Sequence, residues 1–266
     1  YILSVGNYEI LEAGLPDVEL VDADDLLDRI RMVKSPLEIQ QIREHWTLTK
    51  AAMERFVDVL EPGKSQRELA AAASEVALAG GARDILVFIG ERPGESNPPI
   101  DAPVRCDDIL RYHMEICGES GHWSEITVNC AYRTPTDLEH KLVESELRAL
   151  EVITPLARPG ARLSELAAAF EATLRDDGWD LGPATTHFDF HGQGMDTIER
   201  PWHAAERPWG QSQDWPLEAG MVFSYHPRRV VAPDPGWPSG INEDVLITEA
   251  GLERFGAGWS HRWRVM

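Results

Sequence analysis

His113 and Glu115 stand two residues apart in the run Ile109 to Ile116, whose composition reads as a β-strand, so both side chains fall on one face. Glu125 follows ten residues after Glu115, beyond a turn through Gly118 and Gly121, which makes a hairpin carrying two carboxylates. Further along, His191 precedes a Gly-x-Gly, His226 closes the run Met221 to His226, and Glu243 stands just before the run Val245 to Thr248. Carboxylates and imidazoles gathered from separate strands are the ligand types that Mn, Fe, Co or Zn take at a hydrolytic centre. Each residue also has an ordinary explanation. A lone strand histidine packs or faces solvent, and strand alternation alone would as readily turn Glu115 outward between Met114 and Ile116.

Three more histidines are candidates for acid or base work: His122 in the Gly121-His122-Trp123 turn, His187 before the His191 motif, and His203 after Pro201-Trp202. Structural roles compete for each. The segment Arg200-Pro201-Trp202 through Arg207-Pro208-Trp209 repeats an Arg-Pro-Trp unit, and Trp123 falls in another turn. Tryptophan faces at a cleft mouth would grip a small cationic or zwitterionic substrate. The same rings would equally pack against the prolines beside them.

The elements that must position these groups repeat. Pro62-Gly63-x4-Glu68-Leu69-Ala70-Ala71-Ala72 is matched 97 residues later by Pro159-Gly160-x4-Glu165-Leu166-Ala167-Ala168-Ala169. A helix opening on a capping box precedes each copy, Ser35-Pro36-Leu37-Glu38 and Thr136-Asp137-Leu138-Glu139. After each copy come a glycine stop (Gly80-Gly81; Gly178) and strand-type runs, Ile85 to Ile89 and Ile109 to Ile116 in one half, His187 to His191 and Met221 to Val231 in the other. Two such helix-helix-strand halves would join edge to edge into a curved α+β sheet with helices outside and a cleft between them.

Composition excludes some partners. Lys and Arg total 25 against 45 Asp and Glu, a net charge of −20, so nucleic acid and anionic membrane surfaces would be repelled. No apolar run approaches the roughly 20 residues that span a bilayer. The three cysteines, Cys106, Cys117 and Cys130, are odd in number and lack CxxC spacing, which suits neither a disulfide framework nor a zinc ribbon. A reduced, cytoplasmic setting is the expectation.

Several of these motifs, in register, resemble a known family. They are Arg31-x-x-Lys34-Ser35-Pro36-x-Glu38-Ile39, the two Pro-Gly-x4-Glu-Leu helices, His191-Gly-x-Gly-Met-x-x-x-Glu199-x-Pro201, Gly220-Met221-Val222-Phe223-Ser224, and Glu243-Asp244-x-Leu246-Ile247-Thr248-Glu249-x-Gly251. Together they are similar to the M24 family, which holds methionine and Xaa-Pro aminopeptidases, prolidase and creatinase. The resemblance implies the pita-bread fold, an internally duplicated α+β architecture around a curved, antiparallel-rich sheet, over residues 31–266, with halves at about 35–131 and 135–250. It also makes residues 1–30 the remnant of a preceding domain or a linker, and a homodimer the expected assembly.

In the family's metallopeptidases two metal ions are held by Asp, Asp, His, Glu and Glu. Those places fall here on Glu115, Glu125, His191, His226 and Glu243, so three of the five types are changed, all to residues that still bind metals. His113 is a further candidate ligand. Two histidines that serve the peptidases' tetrahedral intermediate and substrate fall on Asn97 and Ile198, and losing such a group costs about a hundredfold or more in rate. The reading that results is a hydrolase of a C–N bond in a small amide, dipeptide-like or amidino substrate, using one or two divalent transition-metal ions but not an ordinary aminopeptidase. Asn97, Trp123, Trp202 and Trp209 would bind the substrate. The alternatives are a metal-free hydrolase like creatinase or ectoine hydrolase, a metal-dependent lyase of the dimethylsulfoniopropionate type, and a non-catalytic binding module.

Overall fold

The computed structural model describes residues 3–91, 96–105, 107, 109–180, 186–187, 190–203, 214–225, 227–229 and 241–266. It divides into two compact units, Tyr1–Arg31 and Met32–Met266. The first carries α1 (Val5–Gly14), capped by the Ser4 hydroxyl, and most of α2 (Asp24–Met32). α2 opens on Asp24 and Asp25 and closes on Arg29 and Arg31, charges that complement the helix dipole at each end. No helix among the described residues is long and apolar enough to cross a membrane.

The second unit begins its helical layer with α3 (Pro36–Asp58) and α4 (Gln66–Ala79). Both expected capping boxes form. Ser35 caps Glu38 at the start of α3, and Thr136 caps Glu139 at the start of α5 (Asp137–Ile153). α6 (Leu163–Asp176) completes the second helix pair. The duplication reaches the backbone. Gly63 and Gly160 both take positive φ, +93° and +88°, where a side chain would be strained. The residues just before the two repeat helices form matching isolated bridges, Ser65 with Pro103 and Arg162 with Pro216.

The strands are β1 (Asp84–Gly90), β2 (Ile109–Cys117), β3 (Trp123–Ala131), β4 (Thr186–His187), β5 (Phe190–Gly192), β6 (Glu199–His203), β7 (Val222–Tyr225), β8 (Arg228–Arg229), β9 (Glu243–Thr248), β10 (Gly251–Arg254) and β11 (Arg264–Val265). The main sheet runs β1-β2-β3-β9-β7-β5-β6, with β10 on β9 and β11 on β3. The run His187 to His191 is not one strand: β4 pairs with β8 in a separate two-stranded sheet, while β5 joins the main sheet. The two halves meet where β3 pairs β9 through Ile126 and Glu243.

Each helix pair covers its own strands. Met53 and Phe56 of α3 and Leu69 and Ala73 of α4 pack on Tyr112, Met114, Ile126 and Val128, and Phe56 stacks on Tyr112 at 3.6 Å. Leu142 and Leu150 of α5 and Leu166 and Phe170 of α6 pack on Phe190, Phe223, Tyr225, Val245 and Ile247. Burying each Leu, Ile, Val, Met or Phe among them contributes about 1.5–3 kcal/mol. Alternate strand residues are left to face the other side, and these carry the polar groups.

Candidate active site

β2 and β3 pair antiparallel with Glu115 opposite Glu125 and His113 opposite Thr127, so alternation brings all four side chains to one face. His113 Nε2 lies 2.9 Å from Glu115 Oε1 and 3.4 Å from Glu125 Oε2, and its Nδ1 is 2.9 Å from Thr127 Oγ1. Ligand atoms of His113, Glu115 and Glu125 all lie within 4.8 Å of one another, close enough to hold one ion. His191, brought from the other half by β5, places Nε2 3.5 Å from Glu125 Oε1.

The register extends this row across the seam. His191 pairs with Ser224, Ser224 with Asp244, and Asp244 Oδ2 accepts the Glu125 N–H at 3.2 Å. The row therefore reads Glu115, Glu125, Asp244, Ser224, His191. Glu243, expected among the ligands, stands elsewhere. It pairs with Tyr225 and Ile126, whose side chains face the helices, and strand alternation turns it to that side. There Arg254 grips its carboxylate, Nε at 3.0 and 2.9 Å and Nη2 at 2.7 Å, and His261 Nε2 lies 3.2 Å away. Burial opposes its ionisation, but the hydrogen bonds and charges of His261 and Arg254 prevail and hold its carboxyl below the usual range.

Charge in the row is unbalanced. Burial, reinforced by the charge of Glu115, pushes the Glu125 carboxyl up, against the opposing effect of His191 and His113. Burial, then repulsion from Glu125, drives Asp244 well above the usual carboxylate range. Glu125 Oε1 and Asp244 Oδ1 are buried and have no hydrogen-bond partner among the described residues, and the same holds for both amide atoms of Asn242. Such orphaned oxygens around like charges are the environment a cation relieves, so the residues present fit a metal ion.

The other candidates are dispersed. His122 sits at the β2–β3 turn, Nδ1 2.8 Å from Ser120 Oγ and Nε2 3.5 Å from Glu38 Oε1 of α3, and none of these partners belongs to the row. Asn97 pairs with Ile89, whose side chain faces the helices, and lines a cavity of about 670 Å³ with Gln66, Arg67, Glu91 and Arg105. Trp123 is buried and donates its backbone N–H to Gly194 O at 2.7 Å. Trp202 is paired with His191 and lies beside it. His187 and His203 are in β4 and β6, but their side chains, like His226 and Trp209 entirely, lie outside the described residues. Asp244 and Lys34 are what sequence reasoning missed. Lys34 forms a buried ion pair at 2.7 Å with Glu199, which also accepts the Met195 N–H at 2.7 Å, tying the His191 loop to the start of α3. The Lys34-Ser35-Pro36 and Glu199-x-Pro201 motifs were both visible in the sequence, but not that they meet.

A model of metallopeptidase family M24 matches residues 40–249. Ectoine hydrolase from Halomonas elongata is 28% identical over 272 residues, covering 95% of this chain and 65% of its own length. A Xaa-Pro dipeptidase from Lactobacillus delbrueckii is 26% identical over 261 residues, covering 95% and 68%. The crystal structure of dipeptidase PepE from Mycobacterium ulcerans superposes with a TM-score of 0.81 at 24% identity, over 99% of this chain and 69% of that one. The chain thus spans about two thirds of the length of such relatives, and the likeness in structure shows the pita-bread fold.

Proposed function

Because this chain belongs to metallopeptidase family M24, we propose that it is a metal-dependent hydrolase of a C–N bond in a small dipeptide-like, amide or amidino substrate. The observation that carries the reading is the row of buried and half-buried carboxylates and imidazole, Glu115, Glu125, Asp244 and His191, with Glu125 Oε1 and Asp244 Oδ1 left without a hydrogen bond among the described residues. We assign the ion to these four residues together with His226, and Glu243 to the Arg254 clamp beneath them.

A divalent cation so held supplies Lewis acidity toward the scissile group and toward water. The chain's own residues do the rest. Glu115 accepts from or donates to His113 Nε2 according to where the shared proton sits, and Thr127 holds the imidazole in place through Nδ1. His113 is thereby positioned to keep a proton at Nε2 and deliver it to a leaving nitrogen. His191 is fixed on the opposite side of Glu125 by the β5–β7 pairing, so the Glu125 carboxylate lies between the two imidazoles.

A metal-free hydrolase is the second reading, favoured by one observation: His113 Nε2 already engages both carboxylates, Glu115 at 2.9 Å and Glu125 at 3.4 Å, without an ion. Elemental analysis of protein purified without chelator, then offered Mn, Fe, Co or Zn, separates the two. Stoichiometric metal supports the proposal, whereas trace metal and no uptake favours the metal-free enzyme. An unsaturated product formed without incorporation of water would replace both with a lyase.

A further inference from the structure

We propose that the cavity between the start of α4 and the end of β1 is a binding site for a small organic carboxylate. Its volume, about 670 Å³, suits a small molecule, and Gln66, Arg67, Glu91, Ile100 and Arg105 are among the residues that line it. Ile89 also lines it and belongs to the core beneath α3 and α4, so the cavity lies on the helix side of the sheet, away from the row. The proposal is therefore independent of what the row does.

The walls are fixed by the chain's own hydrogen bonds. Gln66 is buried; it donates from Nε2 to Glu91 Oε2 at 3.0 Å and accepts the Ile100 N–H at Oε1, 3.1 Å away, which ties the helix to both flanks of the cavity. The backbone N–H groups of Gln66 and Arg67 go to Ala102 O and Ile100 O at 3.0 and 3.2 Å, and Ile89 and Asn97 exchange both of their backbone bonds. A frame held in this way spares a ligand the entropy of ordering it.

The duplication indicates what the cavity takes. Arg67 and Ser164 are equivalent, 97 residues apart, each two residues after the isolated bridge that opens its helix. In the second half the loop brings a carboxylate to this turn: Asp214 accepts from the Ser164 N–H at 3.0 Å and from its hydroxyl at 2.9 Å, with the Arg162 guanidinium 3.8 Å away. In the first half the loop offers the neutral Ile100 carbonyl to the Arg67 N–H instead, and among the described residues no carboxylate pairs with the Arg67 guanidinium. Glu91, the acidic residue of the described lining, is engaged by Gln66 and by the Arg105 N–H. Arg105 meets Asp107 at 3.5 Å in an exposed pair, which holds it weakly. Two guanidiniums against one satisfied carboxylate favour an anion, and a guanidinium edge matches a carboxylate in shape. Ile89, Pro98 and Pro99 suit an apolar body attached to it.

Binding can be read by 19F NMR on the full chain in chelator, with 4-fluorobenzoate as the probe and uncharged 4-fluorobenzamide as its control. The acid should shift saturably. Affinity should fall about tenfold or more for the amide and in Arg67→Ala, and further in the double variant with Arg105→Ala. Asp244→Asn, which alters the row, should bind as the parent chain does. Both arginines are exposed, so their variants should melt with the parent, which thermal melts check. No saturable shift, equal response to acid and amide, or binding kept in the double variant would overturn the assignment. Binding lost in Asp244→Asn but kept in Arg67→Ala would also overturn it, by placing the carboxylate at the row.

Discussion

Glu243 and Asp244 are adjacent acidic residues, and strand alternation predicts opposite phenotypes for them. Glu243→Gln removes a charge that is fully buried and gripped by Arg254, whose side chain keeps 25% exposure, with His261 alongside. Breaking one partner of a buried pair costs about 3–5 kcal/mol, and the partial exposure of Arg254 sets the expectation at the low end, about 3 kcal/mol. In a chain of this size that lowers Tm by roughly 6–12 °C. Asp244→Asn instead relieves repulsion beside Glu125 and keeps an acceptor for the Glu125 N–H, so metal-free stability should hold or rise. Its effect is on the ion. The variant should lose metal uptake, and with it the rise in Tm that saturating metal gives the parent chain. Thermal melts with and without added Mn or Zn, alongside elemental analysis, check all four quantities. Loss of uptake in Glu243→Gln with an unchanged melt, paired with normal uptake in Asp244→Asn, would refute the assignment of faces.

Two further outcomes follow from the same geometry. Lys34→Met strands the buried Glu199 carboxylate and should cost about 3–5 kcal/mol by denaturant unfolding; the double variant Lys34→Met with Glu199→Leu should recover part of that loss, and a strictly additive cycle would show the pair to be uncoupled. In chelator, Glu125 and Asp244 have raised values in the fold, so the native state holds protons that the unfolded chain releases above about pH 4. Stability should therefore fall as pH rises from there through the raised values, by up to about 1.4 kcal/mol per pH unit and group, and Asp244→Asn should flatten that slope. A slope unchanged by the substitution would remove Asp244 as its source. Glu243, with a lowered value, acts below this window, contributing stability that is lost as pH falls.

Much of the fold was legible because the signals are local. Ser35 with Glu38 and Thr136 with Glu139 announce helix starts through hydrogen bonds that span three residues, and Gly63 and Gly160 mark positive-φ turns that few other residues tolerate. Period-two spacing likewise put His113 and Glu115 on one face, as their 2.9 Å contact shows. The interruption between His187 and His191 was not legible, since nothing in that run says that β4 will pair with β8 and not with the main sheet.

The sequence by itself determined the duplication, the helix starts and the supply of buried ionisable groups, because each depends on residues near one another in the chain. Tertiary structure decided which of those groups meet. Alternation says that Glu243 and Asp244 face opposite ways but carries no information about which faces the row; that phase is set by the pairing of Asp244 with Ser224 and of Glu243 with Tyr225. The same pairing brings His191 to Glu125 and leaves the Arg254 clamp on the far side of the sheet. A shift of one residue in that register would exchange the two carboxylates, turning Glu243 to the row and Asp244 to the helices.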